Sequence, residues 1–282
     1  MFFDENLYCY LSGKIIKLKD AKISPFDLGF ARGYAVTEVL RSYNGKIFLF
    51  DEHYDRLIKA VKSLRLNLKE SKKELKLIME KLMNKNNCSN AKIKLVLSPG
   101  IGKSDLDLGG NETLFIYAQA YTDFPKKFYT EGIKIISVNY KRNLSEFKSS
   151  NYIEAICLRK EMKKQKASEI LYLLNNYVLE CSTSNIFMVK NNVLITPKND
   201  ILYGVTRSFV IGFAKKYMKV EERPITLREL LKADEIFITA TTKQIMPVVQ
   251  IDGAKINKGK IGRNTLKLQE IFIAERDKEL KS

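Results

Sequence analysis

The chain has 282 residues, 45% of them hydrophobic and 10% aromatic, and its 49 Lys and Arg against 32 Asp and Glu give a formal net charge of +17. This supply of apolar side chains builds a packed core and excludes global disorder, while no apolar run approaches the roughly 20 residues of a membrane span and MFFDENLYCY lacks the basic-then-apolar order of a signal peptide. One histidine, His53, excludes most histidine metal sites; Cys9, Cys88, Cys157 and Cys181 form no C-x-x-C pair; and the positive charge is mostly lysine spread along the whole chain, with no basic stripe interleaved with aromatics, which argues against nucleic acid as a partner.

In chain order, ENLYCYLSGKIIKL reads as a hairpin turning at Ser12-Gly13, and EVLRSYNGKIFLF as a second, turning at Asn44-Gly45. FDEHYDRLIKAVKSLRL has helical spacing, with His53, Leu57, Val61 and Leu64 on one stripe and Asp51 as an N-cap. A second helix follows over roughly 70–86, then the strands AKIKLVLS and TLFIYAQAY. YTDFPKKFYTEG, 121–132, with its proline, glycine and charges, reads as an inter-domain linker. Beyond it come the short apolar strands IKIISVNY, EILYLLN, YVLECS, NIFMVK, VLITP, EIFITAT and MPVVQIDG, with helices near 150–167, 206–219 and 262–280. The pattern predicts an α+β protein: a small N-terminal α/β domain (1–120), the linker, and a larger strand-rich C-terminal domain (133–282). It reads as soluble and cytoplasmic, with no membrane partner and no metal.

Five places can carry chemistry. Lys148, in SEFKSSNYIEA, precedes a helix for which Ser149 or Ser150 is a cap. A lysine desolvated in a cleft becomes a nucleophile able to form a Schiff base; a solvated surface lysine is the alternative. Glu180 ends the strand YVLEC, where a buried carboxylate needs a cation or donors; a protonated pyridine nitrogen is one such cation, and a strand-end glutamate facing water is the alternative. In YGVTRSFVIGF, Gly204 breaks the strand and Thr206 opens an amphipathic helix whose N-terminus suits phosphate, or Thr206 simply caps it. A second hydroxyl cluster, Thr239-Ala-Thr-Thr, ends EIFITATT, and Arg56 can offer a guanidinium fork to a phosphate.

Taken together, FKSSNY, LECSTSNIF and YGVTR, in this order, resemble the class IV aminotransferases, the fold-type IV pyridoxal-phosphate enzymes that include branched-chain and D-amino-acid aminotransferases and aminodeoxychorismate lyases. The resemblance extends from GFARGYAVTEVLRSYNGKIFLFDEHYDRL to ADEIFITATTKQIMPVVQIDGAKINKGKIG. It implies the two-domain fold-type IV architecture, pyridoxal 5'-phosphate held by Lys148, and amino-group transfer between an amino acid and a 2-oxo acid with ping-pong kinetics, or pyruvate release as a lyase. It further implies that Glu180 pairs with the pyridine nitrogen, that Tyr152 lies near the phenolic oxygen, and that Leu202 packs on the ring. Arg56, Val205, Thr206 and Thr241 are implied to hold the phosphate, and the Thr241-Thr242 turn to offer N–H groups to a substrate carboxylate. Family members are homodimers. GYAVTE, 33–38, departs from the common Gly-Asp-Gly-Val-Phe/Tyr-Glu, with Thr37 replacing an aromatic, and no Arg-x-His carboxylate trap occurs in SPGIGKSDLDL. Arg32, with Lys94 near it, is implied as a substrate-carboxylate ligand; a salt bridge to a neighbouring carboxylate is the alternative.

Overall fold

The computed structural model describes residues 4–281. The chain divides into two compact units: Met1–Thr122 with Phe147–Asn151, and Asp123–Glu146 with Tyr152–Ser282.

In the first unit the elements are β1 (Tyr8–Leu11), β2 (Lys14–Lys17), α1 (Leu28–Arg32), β3 (Val36–Tyr43), β4 (Lys46–Ile47), α2 (Phe50–Ser63), α3 (Lys72–Lys85), β5 (Ala91–Ser98) and β6 (Thr113–Ala120). Among the described residues the strands form one sheet in the order β2-β1-β6-β5-β3-β4, antiparallel throughout. Both expected hairpins are present; the left-handed φ of Asn44 (+49°) and Gly45 (+84°) is what a two-residue Asn-Gly turn requires. Alternation along β5 puts Ile93, Leu95 and Leu97 into the core and Lys92, Lys94 and Val96 on the opposite face. The core closes where Leu57, Val61 and Leu64 of the α2 stripe meet Leu75, Met79 and Leu82 of α3. A capping box at Ser71 and Glu74 starts α3. Asp51 is not the cap of α2: that position is Leu49, in the left-handed region, and Asp51 lies in the first turn, where its charge complements the helix dipole.

The second unit holds α4 (Lys127–Thr130), β7 (Ile133–Asn139), α5 (Ile153–Cys157), α6 (Arg159–Lys164), β8 (Glu169–Leu174), β9 (Tyr177–Cys181), β10 (Asn185–Lys190), β11 (Val193–Thr196), α7 (Val205–Ala214), β12 (Lys219–Glu222), α8 (Leu227–Leu231), β13 (Glu235–Ala240), β14 (Gln244–Ile251), β15 (Ala254–Lys255) and α9 (Arg263–Glu279). Among the described residues its strands run β12-β11-β10-β13-β14-β7-β8-β9, with β15 paired to β14. The pairs β11–β12, β14–β7 and β7–β8 are parallel. Near-continuous burial of β8, β10 and β13 fits central strands covered on both faces. The helix expected near 150–167 is two short ones meeting at Leu158, and neither Ser149 nor Ser150 caps it; Tyr152 occupies the cap position, and the Ser150 hydroxyl donates instead to the Gly33 carbonyl at 2.8 Å. α4 lies within the stretch 121–132.

Candidate active site

Lys148 lies in the short segment Phe147–Asn151, which belongs to the first unit although the chain before it, to Glu146, and after it, from Tyr152, belongs to the second. The cause is backbone pairing with the start of β3. The Thr37 N–H donates to the Lys148 carbonyl at 2.7 Å, the Ser150 N–H donates to the Ala35 carbonyl at 3.0 Å, and Val36 bridges Ser149. Phe147 packs against the core, so the lysine is pinned from its backbone and from the residue before it. Thr37 is buried beside it. Lys92 reports the local charge: burial, Lys94 and Lys148 together hold its amine below the usual lysine range.

Next to this segment, β3 and α2 enclose a buried cluster. Glu38 accepts from Arg56 Nε at 3.0 Å and from Arg56 Nη2, and His53 Nδ1 lies 3.0 Å from Glu38 Oε1. Burial alone pushes the Glu38 carboxyl up, but Arg56 and His53 outweigh it and hold it well below the ordinary range. Burial pushes His53 down against the pull of Glu38. The imidazole is therefore neutral near pH 7 and donates Nδ1–H to the carboxylate. The fork of Arg56 is thus engaged by Glu38. Arg32 sits at the exposed end of α1 with Nη2 2.9 Å from Asp105 Oδ2, the salt-bridge alternative for that residue.

In the second unit, Glu180 is the fourth residue of β9 and is buried rather than facing water. Its cation within the unit is Arg142, whose Nε and Nη2 donate to Oε1 at 2.9 and 2.7 Å; Nη2 also donates to the Ser145 carbonyl. Oε2 accepts the Leu202 N–H at 3.0 Å, so Leu202 is tied to Glu180 through its backbone. The Leu202 carbonyl in turn accepts from Asn185 Nδ2 at 2.7 Å.

Three residues after Leu202, α7 begins. Its cap is Gly204 and not Thr206, which is the second residue of the helix; both Val205 and Thr206 are buried. Gly204 supplies no side-chain cap, so the first N–H groups, which have no intrahelical partner, retain their capacity for an anion. A Cβ at 204 would lie 2.1 Å from Asn185 Oδ1, so this close approach requires glycine. Arg207 turns inward, donating to the Pro197 carbonyl and to Glu222. Thr241 and Thr242 form the half-buried turn between β13 and β14. Tyr152 is half-buried at the start of α5. Among the described residues no group of acidic, histidine or cysteine side chains could hold a metal ion.

The donor set fits a phosphorylated pyridine: an uncapped helix start for a phosphate, and a buried acceptor-only carboxylate of the kind that pairs with a pyridinium N–H. Sequence reasoning missed Glu38 and Lys92 in the first unit, and Arg142 and Asn185 in the second. Asn185 was findable as the polar residue opening an apolar strand; Arg142, in an irregular segment, carried no local signal.

The family model described as amino-transferase class IV matches residues 35–251. The chain is 38% identical over 275 residues to a putative branched-chain-amino-acid aminotransferase of Methanocaldococcus jannaschii, covering 93% of this chain and 94% of that protein. It is 34% identical over 275 residues to a D-alanine aminotransferase of Listeria monocytogenes, covering 94% of each. The branched-chain amino acid aminotransferase structure from Escherichia coli superposes with a TM-score of 0.90 at 26% identity, over 97% of this chain and 96% of that one.

Proposed function

The chain belongs to the class IV aminotransferases, and on that premise we propose that it moves an amino group between an amino acid, branched-chain or D, and a 2-oxo acid, using pyridoxal 5'-phosphate held by Lys148. The observation that carries this reading is the second unit's pairing of a buried Glu180 with an uncapped helix start on Gly204. When bound, the cofactor supplies an electron sink for the carbanion left when Cα loses its proton. Lys148 would hold the cofactor and would serve as the base that takes and returns the proton at Cα of the donor. Glu180, kept in place by Arg142, holds the proton on the pyridine nitrogen. Val205 and Thr206 would donate to the phosphate through the helix start, with Thr241 as a further ligand and Arg56 offering only Nη1, since Glu38 takes its Nε and Nη2. Tyr152 attends the phenolic oxygen and Leu202 the ring face. Arg32, Thr37, Lys94 and Thr242 recognise substrate.

The enzyme acts as a cytoplasmic homodimer. Exposed apolar side chains in the first unit, Phe26, Phe30, Ile101 and Leu106, support self-association. Four free cysteine thiols support a reducing compartment.

The test is a transamination assay on the reconstituted protein with separate L- and D-amino acids and a 2-oxo acid acceptor. Product that requires both partners and parallel-line kinetics supports the reading. Pyruvate released from aminodeoxychorismate without an acceptor assigns the lyase reaction instead.

A further inference from the structure

A second buried charge cluster in the same unit lies outside the cofactor set. Glu169 opens β8 and is 2% exposed; Lys243, which follows Thr241-Thr242 and precedes β14, is 7% exposed. Lys243 Nζ donates to Glu169 Oε2, to Thr183 Oγ1 at 2.5 Å and to Ser184 Oγ at 2.9 Å. Those three acceptors match the three protons of an ammonium group. Glu169 in turn accepts from the Ser182 hydroxyl, from Thr183 Oγ1 at 2.7 Å, from Ser184 Oγ at 3.1 Å and from the Ile170 N–H at 3.2 Å.

The network joins two turns. One, Ser182-Thr183-Ser184, begins two residues after Glu180; the other holds Thr241 and Thr242. A buried ion pair is a poor source of net stability, since its desolvation offsets its attraction, but a fully hydrogen-bonded one restricts the chain to a single arrangement. Lys243 is adjacent to Thr242, so its buried, hydrogen-bonded side chain anchors the turn while the threonines stay half-buried.

We propose that Glu169 and Lys243 are positioning residues that fix the Thr241-Thr242 turn in register with the strand end carrying Glu180, and so set the affinity for the cofactor's phosphate. This rests on the cofactor reading above, with Thr241 as a phosphate ligand. Neither residue touches the cofactor; both act through the turns they tie.

The experiment measures the dissociation constants of pyridoxal phosphate and of pyridoxal, which lacks the phosphate, by titrating the apoprotein and following protein-bound absorption. The double variant Glu169→Gln/Lys243→Met removes both charges at similar volume, so no unpaired charge is left buried. The expected result is a rise of about tenfold in the constant for pyridoxal phosphate, the scale of one lost network contact, with that for pyridoxal changed less than about twofold. Thr183→Val removes one tether of Lys243 without altering charge; it is expected to shift the same ratio in the same direction by about threefold, and it decides the matter if the double variant does not fold. An unchanged ratio overturns the proposal, as does equal weakening for both aldehydes, which is what a general loss of structure produces. Failure of the wild type to bind pyridoxal phosphate at all overturns the cofactor reading instead, and is seen before any variant is made.

Discussion

Lys148 shows how little a residue's own neighbourhood in sequence says about it. It is one of many lysines, and the segment around it reads as a loop before a helix. Its distinction comes from Thr37 and Ala35, more than a hundred positions away, which stitch its backbone to β3. Lys148→Ala is expected to abolish covalent retention of pyridoxal phosphate and to lower transamination by about 10²-fold or more, the scale of a lost general acid–base group; a variant that keeps both overturns its assignment. His53 supports a different prediction. Its folded pKa is lowered, so between that value and the unfolded value of about 6.5 the unfolded chain binds more protons and stability falls as pH falls. Glu38, also lowered, adds to this loss only below the unfolded glutamate value of about 4.3. Between pH 7 and 5 the histidine therefore acts without Glu38. Thermal melts of His53→Gln, which keeps a donor for Glu38, are expected to flatten over that interval; an unaltered pH slope contradicts the neutral buried histidine.

At the scale of elements, both helix starts that matter are testable. Ser71→Ala removes the capping box of α3 and is expected to destabilise by about 1 kcal/mol, a drop in melting temperature of roughly 2–4 °C. Gly204→Ala places a Cβ against Asn185 and is expected to cost about 1–3 kcal/mol as overpacking, while weakening pyridoxal phosphate binding through the displaced start of α7. A variant that binds the cofactor normally argues against phosphate at this helix. The hairpins, the α2 stripe and the strand-rich second half were legible because each rests on local chemistry: Asn-Gly turns, apolar periods of 3.6 or 2, and Gly204 before a hydroxyl. Caps were less legible. The helices start after Leu49 and Tyr152, neither of which supplies a side-chain cap, while Asp51 pairs with Lys72 and Ser150 donates to the Gly33 carbonyl. The partners of Glu180 and Glu38 were not legible at all, since Arg142, Arg56 and His53 meet them only through the fold.

For the whole molecule, the charge of +17 is a general background that favours anionic ligands and reports no single site. Binding of a ligand to the folded state alone stabilises it, by about 2.7 kcal/mol at one hundred times the dissociation constant; saturating pyridoxal phosphate is therefore expected to raise the melting temperature, and inorganic phosphate to do so less. Whether Lys148 holds the cofactor is tested by an absorption spectrum of the protein after reconstitution with pyridoxal phosphate and removal of excess, before and after adding single L- and D-amino acids. The expected result is a protein-bound band at the edge of the visible that is absent from Lys148→Ala and bleached by the amino acid that serves as donor, which names its side chain and chirality. A wild-type protein that emerges with no such band does not hold pyridoxal phosphate on Lys148, and the proposed transamination fails with it.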